Sequence, residues 1–200
     1  MEIGYRGLSV RPGVHMVLVY HGIDRAMAIV AKVLAAGLKQ GEKCFFLGLP
    51  ENVELLGRWL ATEGIDVHEQ TGGGNLELVS DRARLCAGRG FDLDGLTASL
   101  HAFIKDAVAS RGKPVRIVID PGWLAGGASR KEIHELEEGL DELFSVPDLP
   151  VLGMCMHSME DTTSEELVSL LEMHSLAIIG ENIRLNPHYA REEGACGAGQ

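Results

Sequence analysis

The chain has 200 residues, and its 29 acidic against 18 basic side chains give a net charge of −11 at neutral pH. Hydrophobic residues make up 46% of the sequence, which is enough for the core of one domain or of two small ones and excludes disorder along the whole chain. The acidic balance argues against a broad nucleic-acid-binding surface, because phosphate contacts require clustered Lys and Arg.

The first residues lack the basic and apolar regions of a signal peptide, and the sequence has no apolar run of about 18 residues that would predict a transmembrane helix. The cysteines form no C-x-x-C pair, and we expect reduced thiols at Cys44, Cys86, Cys155 and Cys196. We therefore expect a cytoplasmic protein that contacts neither membrane nor nucleic acid.

In the first half of the chain, predicted strands and helices alternate. Short apolar runs predict strands at His15–Tyr20, Lys43–Leu49 and Leu76–Ser80. Helical spacing predicts helices at Ala26–Lys39, with Asp24 as N-cap, and at Asn52–Glu63, closed by Gly64. We expect Ile65–Val67 to be extended and Gly72–Gly74 to form a turn, whereas the pattern over Arg82–Phe91 is ambiguous.

The second half of the chain continues the alternation. Predicted helices span Asp94–Ser110, Arg130–Phe144 and Thr163–His174, with Ser129 capping the second, whose many acids we place on its outer face. Predicted strands span Val115–Ile119, Val151–Met156 and Leu176–Ile179. Residues 1–189 are expected to form one domain, and residues 190–200 a disordered tail.

This alternation predicts an α/β fold with a mostly parallel central sheet and helices on both faces. Ligands of such sheets bind at the carboxyl ends of the strands. The rule directs attention to Tyr20-His21, Pro50, Asp81, Asp120–Trp123 and Cys155–His157.

The first strand-to-helix turn, Tyr20–Asp24, has a single glycine and no Lys-Ser/Thr, so the phosphate-binding loop of nucleotide-binding proteins is absent. Val115–Asp120 (VRIVID) nevertheless resembles the strand that ends in a magnesium-binding Asp in ATPases. A residual nucleotide-binding or ATPase-like activity using Asp120 is one alternative function. The simpler interpretation is a buried strand whose Asp caps the next turn.

Cys155-Met156-His157 ends a predicted strand. With His15, His21 or Asp120 nearby, Cys155 and His157 are candidate ligands of a soft or borderline metal. The same thiol is a candidate nucleophile or redox-sensing group, which makes a metal- or redox-responsive switch a second alternative. The competing interpretation is a packed, inert core cysteine.

Taken together, these segments resemble the MEDS family, a sensory domain of methanogens, methylotrophs and the dichloromethane-responsive repressor. The resemblance extends from about His15 to Tyr189. Its matching positions are His15, Tyr20, Gly37-Leu38, Gly41–Cys44, Gly64–Val67, Gly90–Asp92, Trp123, Glu137, Asp141, Cys155, His174, Asn186-Pro187 and Tyr189.

The resemblance implies a RecA/KaiC-like three-layer sandwich that has lost its Walker A loop. It also implies signal perception without catalysis: the domain binds a small molecule, such as a C1 or other small organic compound, and relays the event to a separate regulatory or kinase partner. The acidic helix Arg130–Phe144 is a candidate partner surface, with a solvated face as the simpler interpretation. Neither the residues nor the resemblance identifies a cofactor, and a homo-oligomer is left open.

Three departures from the family pattern lie at the predicted pocket. Asp120 replaces the family's usual Glu three residues before Trp123, His157 replaces a Tyr, and Ser175 replaces a Pro after His174. The proposed ligand-binding residues are His15, Tyr20, His21, Asp120, Trp123, Cys155 and His157. We expect Trp123 to act as a lid and Gly126-Gly127 to act as a hinge in the loop that follows it.

Overall fold

A computed structural model describes residues 1–80, 92–124, 130–146, 149–186 and 189. Seven strands form one sheet: β1 (Val14–Tyr20), β2 (Lys43–Leu47), β3 (Leu76–Val79), β4 (Val115–Ile119), β5 (Val151–Ser158), β6 (Leu176–Ile179) and β7 (Asn182–Leu185). Their order across the sheet is β3-β2-β4-β5-β1-β6-β7, and every pairing is parallel except that of β6 with β7. The predicted mostly parallel sheet is confirmed.

Six helices connect the strands: α1 (Ile23–Lys39), α2 (Pro50–Thr62), α3 (Val67–Gly72), α4 (Leu93–Arg111), α5 (Arg130–Phe144) and α6 (Ser164–Met173). The apolar side chains of α1 and α2 pack on one face of the sheet, and those of α4 and α5 on the other. Leu167 and Leu171 of α6 pack on Val17 and Val19 of β1. The result is a three-layer α/β sandwich.

The topology brings the carboxyl ends of β1, β4 and β5 together. Strand β1 lies between β5 and β6, and β5 pairs with β4 on its other side. The connection that leaves β1 passes β5 and β4 to reach β2, whereas the connection that leaves β5 passes β1 to reach β6. The connections of these two neighbouring strands therefore run in opposite directions. Crevices at such reversals are the usual ligand sites of open parallel sheets.

A buried ion pair links the amino-terminal segment to the sheet. Arg116 of β4 is fully buried, and its Nε donates to Glu42 Oε2 at 2.5 Å. The same guanidinium donates to the carbonyl oxygens of Glu2, Ile3 and Val33. A side chain on Gly37 of α1 would collide with this guanidinium, which explains why a residue with no Cβ stands in the middle of a buried helix face.

Three elements differ from the sequence-based expectations. The prediction that Val67 is extended was wrong, because Val67 begins α3, where the side chain of Asp66 accepts from the backbone N–H of Glu69. Strand β7 was not expected; it forms a hairpin with β6 through Gly180, whose φ of 61° requires the left-handed region. Helix α1 also starts at Ile23 after Gly22 rather than being capped by Asp24.

Several expectations fall outside the described residues. These are the ambiguous segment within Arg82–Phe91, the Ser129 cap, the Gly126-Gly127 hinge, and the tail of residues 190–200. None of the helices in the part of the chain that the structure describes is long and apolar enough to cross a membrane.

Candidate ligand-binding site

A pocket of about 160 Å³ lies at the carboxyl ends of β1, β4 and β5. Its apolar wall is built from Ile133 of α5, Met156 of β5, and Leu170 and Met173 of α6. Polar side chains also line the pocket, and they include Tyr20, Asp120, Glu137, His157, Ser158, Asp161 and Thr162. A mostly apolar cavity with a few convergent polar groups is the usual form of a small-molecule site.

Asp120 directly follows β4 and is buried. Its Oδ2 accepts from the Asn52 side-chain amide at 2.5 Å, and its Oδ1 accepts from the Gly122 backbone N–H at 3.0 Å. Burial raises the pKa of this carboxyl above its ordinary value, although both hydrogen bonds oppose the shift. Asp120 thus combines the turn-capping role expected from sequence with a place in the pocket wall.

His157, near the end of β5, is paired with an acid of α5. Its Nε2 lies 2.7 Å from Glu137 Oε1, and both side chains are almost completely shielded from solvent. Since a carboxylate accepts only, His157 Nε2 carries the proton and donates. This bond holds Oε1 of Glu137 at the wall of the pocket.

A fully buried cluster of side chains that includes Glu137 lies next to the pocket, on the α5–α6 side of the sheet. His15 Nε2 is 3.3 Å from Cys155 Sγ, 3.2 Å from His174 Nε2 and 3.6 Å from Glu137 Oε2. His174 Nε2 is also 3.4 Å from Glu137 Oε2. The four side chains come from β1, β5, α5 and the end of α6, so the whole fold is needed to assemble them.

The register of the sheet partly explains why His15 and Cys155 lie next to each other. His15 pairs with Gly153 and Val17 pairs with Cys155 in the parallel ladder between β1 and β5. Side chains two residues apart lie on one face of a strand, so His15, Cys155 and His157 all project toward α5. Gly153 leaves the room that the ring of Phe144 occupies, and this ring packs edge-on against His15 at 5.2 Å.

Burial dominates the electrostatics of the cluster. Desolvation, followed by the neighbouring His174, lowers the pKa of His15 to about 4, so its ring is neutral at neutral pH. Burial alone would raise the pKa of Glu137, but the hydrogen bond from His157 and the nearby ring of His174 outweigh it and hold the pKa well below the ordinary value. Burial and the nearby Glu137 charge raise the pKa of the Cys155 thiol.

Outer partners orient the cluster. His174 Nδ1 lies 2.6 Å from the Leu170 carbonyl oxygen, and His15 Nδ1 lies 3.5 Å from Asp141 Oδ1. The hydroxyl of Tyr189 donates to Asp141 at 3.1 Å. In both His15 and His174, therefore, Nε2 faces the cluster and Nδ1 faces an oxygen acceptor.

The structure brings five of the seven candidate residues to this region. Tyr20, Asp120 and His157 line the pocket, while His15 and Cys155 lie in the buried cluster behind it. His21 is largely exposed and pairs with Glu160 at 3.1 Å, away from the pocket wall. Trp123 lies in a short 3-10 turn, Pro121–Leu124, and its side chain is outside the part that the structure describes.

Reasoning from residue types alone did not place Glu137 and His174 at the site. The expectation that the acids of α5 lie on its outer face was wrong for Glu137. This residue is fully buried, as are Leu136 and Leu140 of the same helix. An acid at a core-facing position of an amphipathic helix is the signal that identifies it. One ring nitrogen of His174 contacts a carbonyl at the end of α6, and the second nitrogen faces the cluster.

The fold places the chain in a known class. It is similar to a KaiC-like protein from the hyperthermophilic archaeon Pyrococcus horikoshii OT3, with a TM-score of 0.63 and 15% identity. The match covers 90% of this chain and 79% of that chain. The RecA/KaiC-like three-layer architecture is thus confirmed, and at this identity the similarity concerns the fold alone.

The family follows from the sequence match. Residues 14–175 match MEDS, the methanogen/methylotroph, DcmR sensory domain, and the chain belongs to this family. No curated protein matches the chain. Membership in a family of sensory domains indicates a regulatory role.

Proposed function

We propose that this protein is a sensory domain that binds a small, mostly apolar organic molecule carrying one hydrogen-bonding group. It performs no chemistry on this molecule and relays its presence to a separate regulatory or kinase partner. The observation that supports this proposal is the pocket at the carboxyl ends of β1, β4 and β5. Its position agrees with the ligand sites of open parallel sheets.

The size of the pocket limits the ligand. A cavity of about 160 Å³ is close to the roughly 150 Å³ of an apolar cavity that holds one benzene molecule. Pockets for drug-sized ligands span roughly 300–1,000 Å³. A molecule of a few carbon atoms, including C1 compounds, therefore suits this pocket better than a nucleotide does.

The wall chemistry supports the same ligand class. Met156 and Met173 provide flexible, polarisable surface that adapts to small shapes. The Asp120 carboxyl and the His157 ring provide one acceptor and one further polar contact for a hydroxyl or similar group. Burial of both groups strengthens a hydrogen bond made there.

Relay is proposed through the two helices that border the pocket. Ile133 and Glu137 belong to α5, and Glu166, Leu170 and Met173 belong to α6. A ligand that contacts both helices stabilises the arrangement in which they fit it best, and this shifts the population of conformations. The separate partner then reads the position of α5 and α6.

The nucleotide alternative has less support. Only His21 and Gly22 separate β1 from α1, so no glycine-rich loop with a lysine cradles phosphates there. Asp120 stands where a magnesium-binding acid ends its strand in ATPases, but the phosphate-binding-loop Ser/Thr that holds Mg²⁺ together with that acid is absent from this turn. Titration with ATP and Mg²⁺ separates the two functions: saturable binding at submillimolar nucleotide contradicts the small-molecule proposal.

The proposal is tested with benzene, phenol, methanol and dichloromethane as probes, by following amide chemical shifts in NMR spectra. Val168 and Ser169 are neighbours on α6, but only Ser169 lines the pocket, whereas Val168 is 56% exposed. Ser169→Trp fills the pocket, and Val168→Trp is its matched control.

We expect at least one probe to shift resonances of pocket residues in the wild type and in Val168→Trp, with at least a tenfold weaker affinity in Ser169→Trp. Equal affinity in the two variants would place the binding elsewhere. A spectrum that no probe changes at millimolar concentration would contradict the proposed ligand class.

A further inference from the structure

Four metal-ligating side chains converge behind the pocket. The donor atoms of His15, Glu137, Cys155 and His174 all lie within 4.8 Å of one another, and every one of these residues is buried. The cluster joins two imidazoles, one thiol and one carboxylate, which are the donor types that zinc accepts in proteins. The four residues belong to four separate elements, so their closeness does not result from neighbouring positions in the sequence.

The spacing of the donors has the dimensions of a tetrahedral site. Zinc lies about 2.0–2.3 Å from N, O and S ligands, so adjacent ligands of a tetrahedron are about 3.3–3.7 Å apart. Four of the six distances between the donors are 3.2, 3.3, 3.4 and 3.6 Å. The other two, from Cys155 Sγ to His174 and to Glu137, are within 4.8 Å. Binding of the ion would draw the Cys155 sulfur closer to the other three donors.

The hydrogen-bond geometry directs two electron-pair donors, one from His174 and one from Glu137, toward each other within the cluster. His174 Nδ1 faces a carbonyl oxygen and therefore carries a proton, so in the neutral ring Nε2 is a bare lone pair. That lone pair faces Glu137 Oε2, a buried oxygen with no hydrogen-bond partner among the described residues. Two acceptors at this distance repel each other unless a proton or a metal ion lies between them.

The surroundings resemble the outer shell of a metal site. Metal-ligating histidines usually donate their second N–H to a carboxylate or a backbone carbonyl, which fixes the ring orientation. Here Nδ1 of His174 contacts the Leu170 carbonyl, and Nδ1 of His15 faces the Asp141 carboxylate. The hydroxyl of Tyr189 donates to the same carboxylate. His157 holds the other oxygen of Glu137 at 2.7 Å and leaves Oε2 directed at the cluster.

We propose that His15, Glu137, Cys155 and His174 bind a divalent metal ion of the size and tetrahedral preference of Zn²⁺. As the ion binds, a bond forms between it and Cys155 Sγ, and the thiol proton leaves to solvent. His157 acts as a positioning residue for Glu137 rather than as a ligand. The four protein donors close the coordination sphere, which is typical of a structural or sensing metal rather than a catalytic one.

This site goes beyond the proposed ligand pocket. The two share only Glu137, which lines the pocket with one side and contacts the buried histidines with the other. Metal content and small-molecule binding are measured separately. Failure of one proposal is therefore distinguishable from failure of the other.

The first test uses untagged protein purified without chelators, analysed for metals by inductively coupled plasma mass spectrometry. Metal-free protein is then titrated with Zn²⁺ and with Co²⁺. We expect about one equivalent of tightly bound ion. We also expect cobalt to give intense visible bands of a tetrahedral site together with thiolate-to-cobalt charge transfer in the near ultraviolet. Protein that binds neither ion at tens of micromolar would overturn the proposal.

Variants assign the ligands. Cys155→Ala should abolish the thiolate-to-cobalt band and weaken zinc binding at least 100-fold, and His174→Gln should weaken zinc binding at least tenfold while keeping that band. Cys44→Ala is the matched control, because Cys44 is also a fully buried strand cysteine, but its thiol donates to the Leu34 carbonyl oxygen and is not part of the four-residue cluster. Unchanged cobalt spectra in Cys155→Ala, or an equal loss in Cys44→Ala, would overturn the assignment. The wild-type cobalt spectrum decides the case even where a variant fails to fold.

Discussion

Nε2 of His15 lies 3.3 Å from Sγ of Cys155, although 140 positions separate the two residues in the chain. The contact depends on the parallel register of β1 and β5 and on Gly153, which leaves space for Phe144 beside His15. This contact forms one edge of a buried polar cluster that borders a small-molecule pocket.

Gly153 is the first position where this arrangement can be tested. A Cβ there would collide with the ring of Phe144, so Gly153→Ala must displace the ring that packs against His15. We expect a loss of about 1–3 kcal/mol in the free energy of unfolding, measured by urea denaturation.

Gly57→Ala is the matched control, because Gly57 lies inside α2 and a Cβ there meets nothing within 4 Å. We expect this variant to gain about 0.4–1 kcal/mol from the lower entropy of the unfolded chain. A Gly153→Ala protein as stable as the wild type would show that the β5–α5 contact is looser than described.

Arg116 is the second position. It is fully buried, and its guanidinium neutralises Glu42 while donating to three backbone carbonyls. Arg116→Met leaves the Glu42 charge buried without its partner, and we expect a loss of about 3–5 kcal/mol. Replacing both residues, as Arg116→Met with Glu42→Leu, should recover part of this loss because no unpaired charge is left.

The exposed pair Arg58–Glu54 on α2 provides the comparison, since both side chains are more than half exposed. Arg58→Ala should change the free energy of unfolding by less than about 0.5 kcal/mol. If Arg116→Met and Arg58→Ala unfold at the same urea concentration, the buried pair does not anchor the amino-terminal segment.

Asp120 makes stability depend on pH in a defined direction. Burial raises the pKa of this carboxyl above 3.8, its ordinary value, so the folded protein favours the protonated form. The stability that protonated Asp120 contributes is complete below about pH 4 and is lost as pH rises through the raised pKa. Asp120→Asn has no such loss.

The free energy of unfolding of Asp120→Asn, measured relative to the wild type, should therefore increase as pH rises from 4 toward neutrality. Urea denaturation at several pH values measures this difference directly. A difference that is constant, or that decreases with pH, would show that hydrogen bonds from Asn52 and Gly122 outweigh the cost of burying the charge.

The proposed metal ion should stabilise the folded protein by mass action. With free zinc at 100 times its dissociation constant, the free energy of unfolding should rise by about 2.7 kcal/mol over the metal-free protein. Cys155→Ala should lose this gain, and Cys44→Ala should keep it. An equal gain in Cys155→Ala would mean that zinc binds elsewhere on the chain.

The sequence was sufficient to predict the alternation of strands and helices, since each buried strand is a short apolar run and most helices carry one apolar face. Helix α3 was missed because its six residues bury none of their side chains and so show no amphipathic pattern. Strand β7 was missed for a similar reason: its residues are mostly exposed and show no alternation of buried and exposed side chains.

The candidate site was predictable only in part. Tyr20, Asp120 and His157 follow from the rule that ligands bind at the carboxyl ends of parallel strands. Glu137 and His174 reach the site from α5 and from the end of α6, and only tertiary packing brings their side chains to His15. His21 follows the strand-end rule, but its side chain is exposed and pairs with Glu160 instead of lining the pocket.

The occupancy of the pocket in crystals soaked with 4-bromophenol tests the central claim most directly, because bromine is located by its anomalous scattering. We predict a bromine peak between α5 and α6, with the phenol oxygen within hydrogen-bond distance of Asp120 or His157 and no such peak in Ser169→Trp. A peak only outside this pocket, or an equal peak in Ser169→Trp, would contradict the assignment of this cavity as the sensory site.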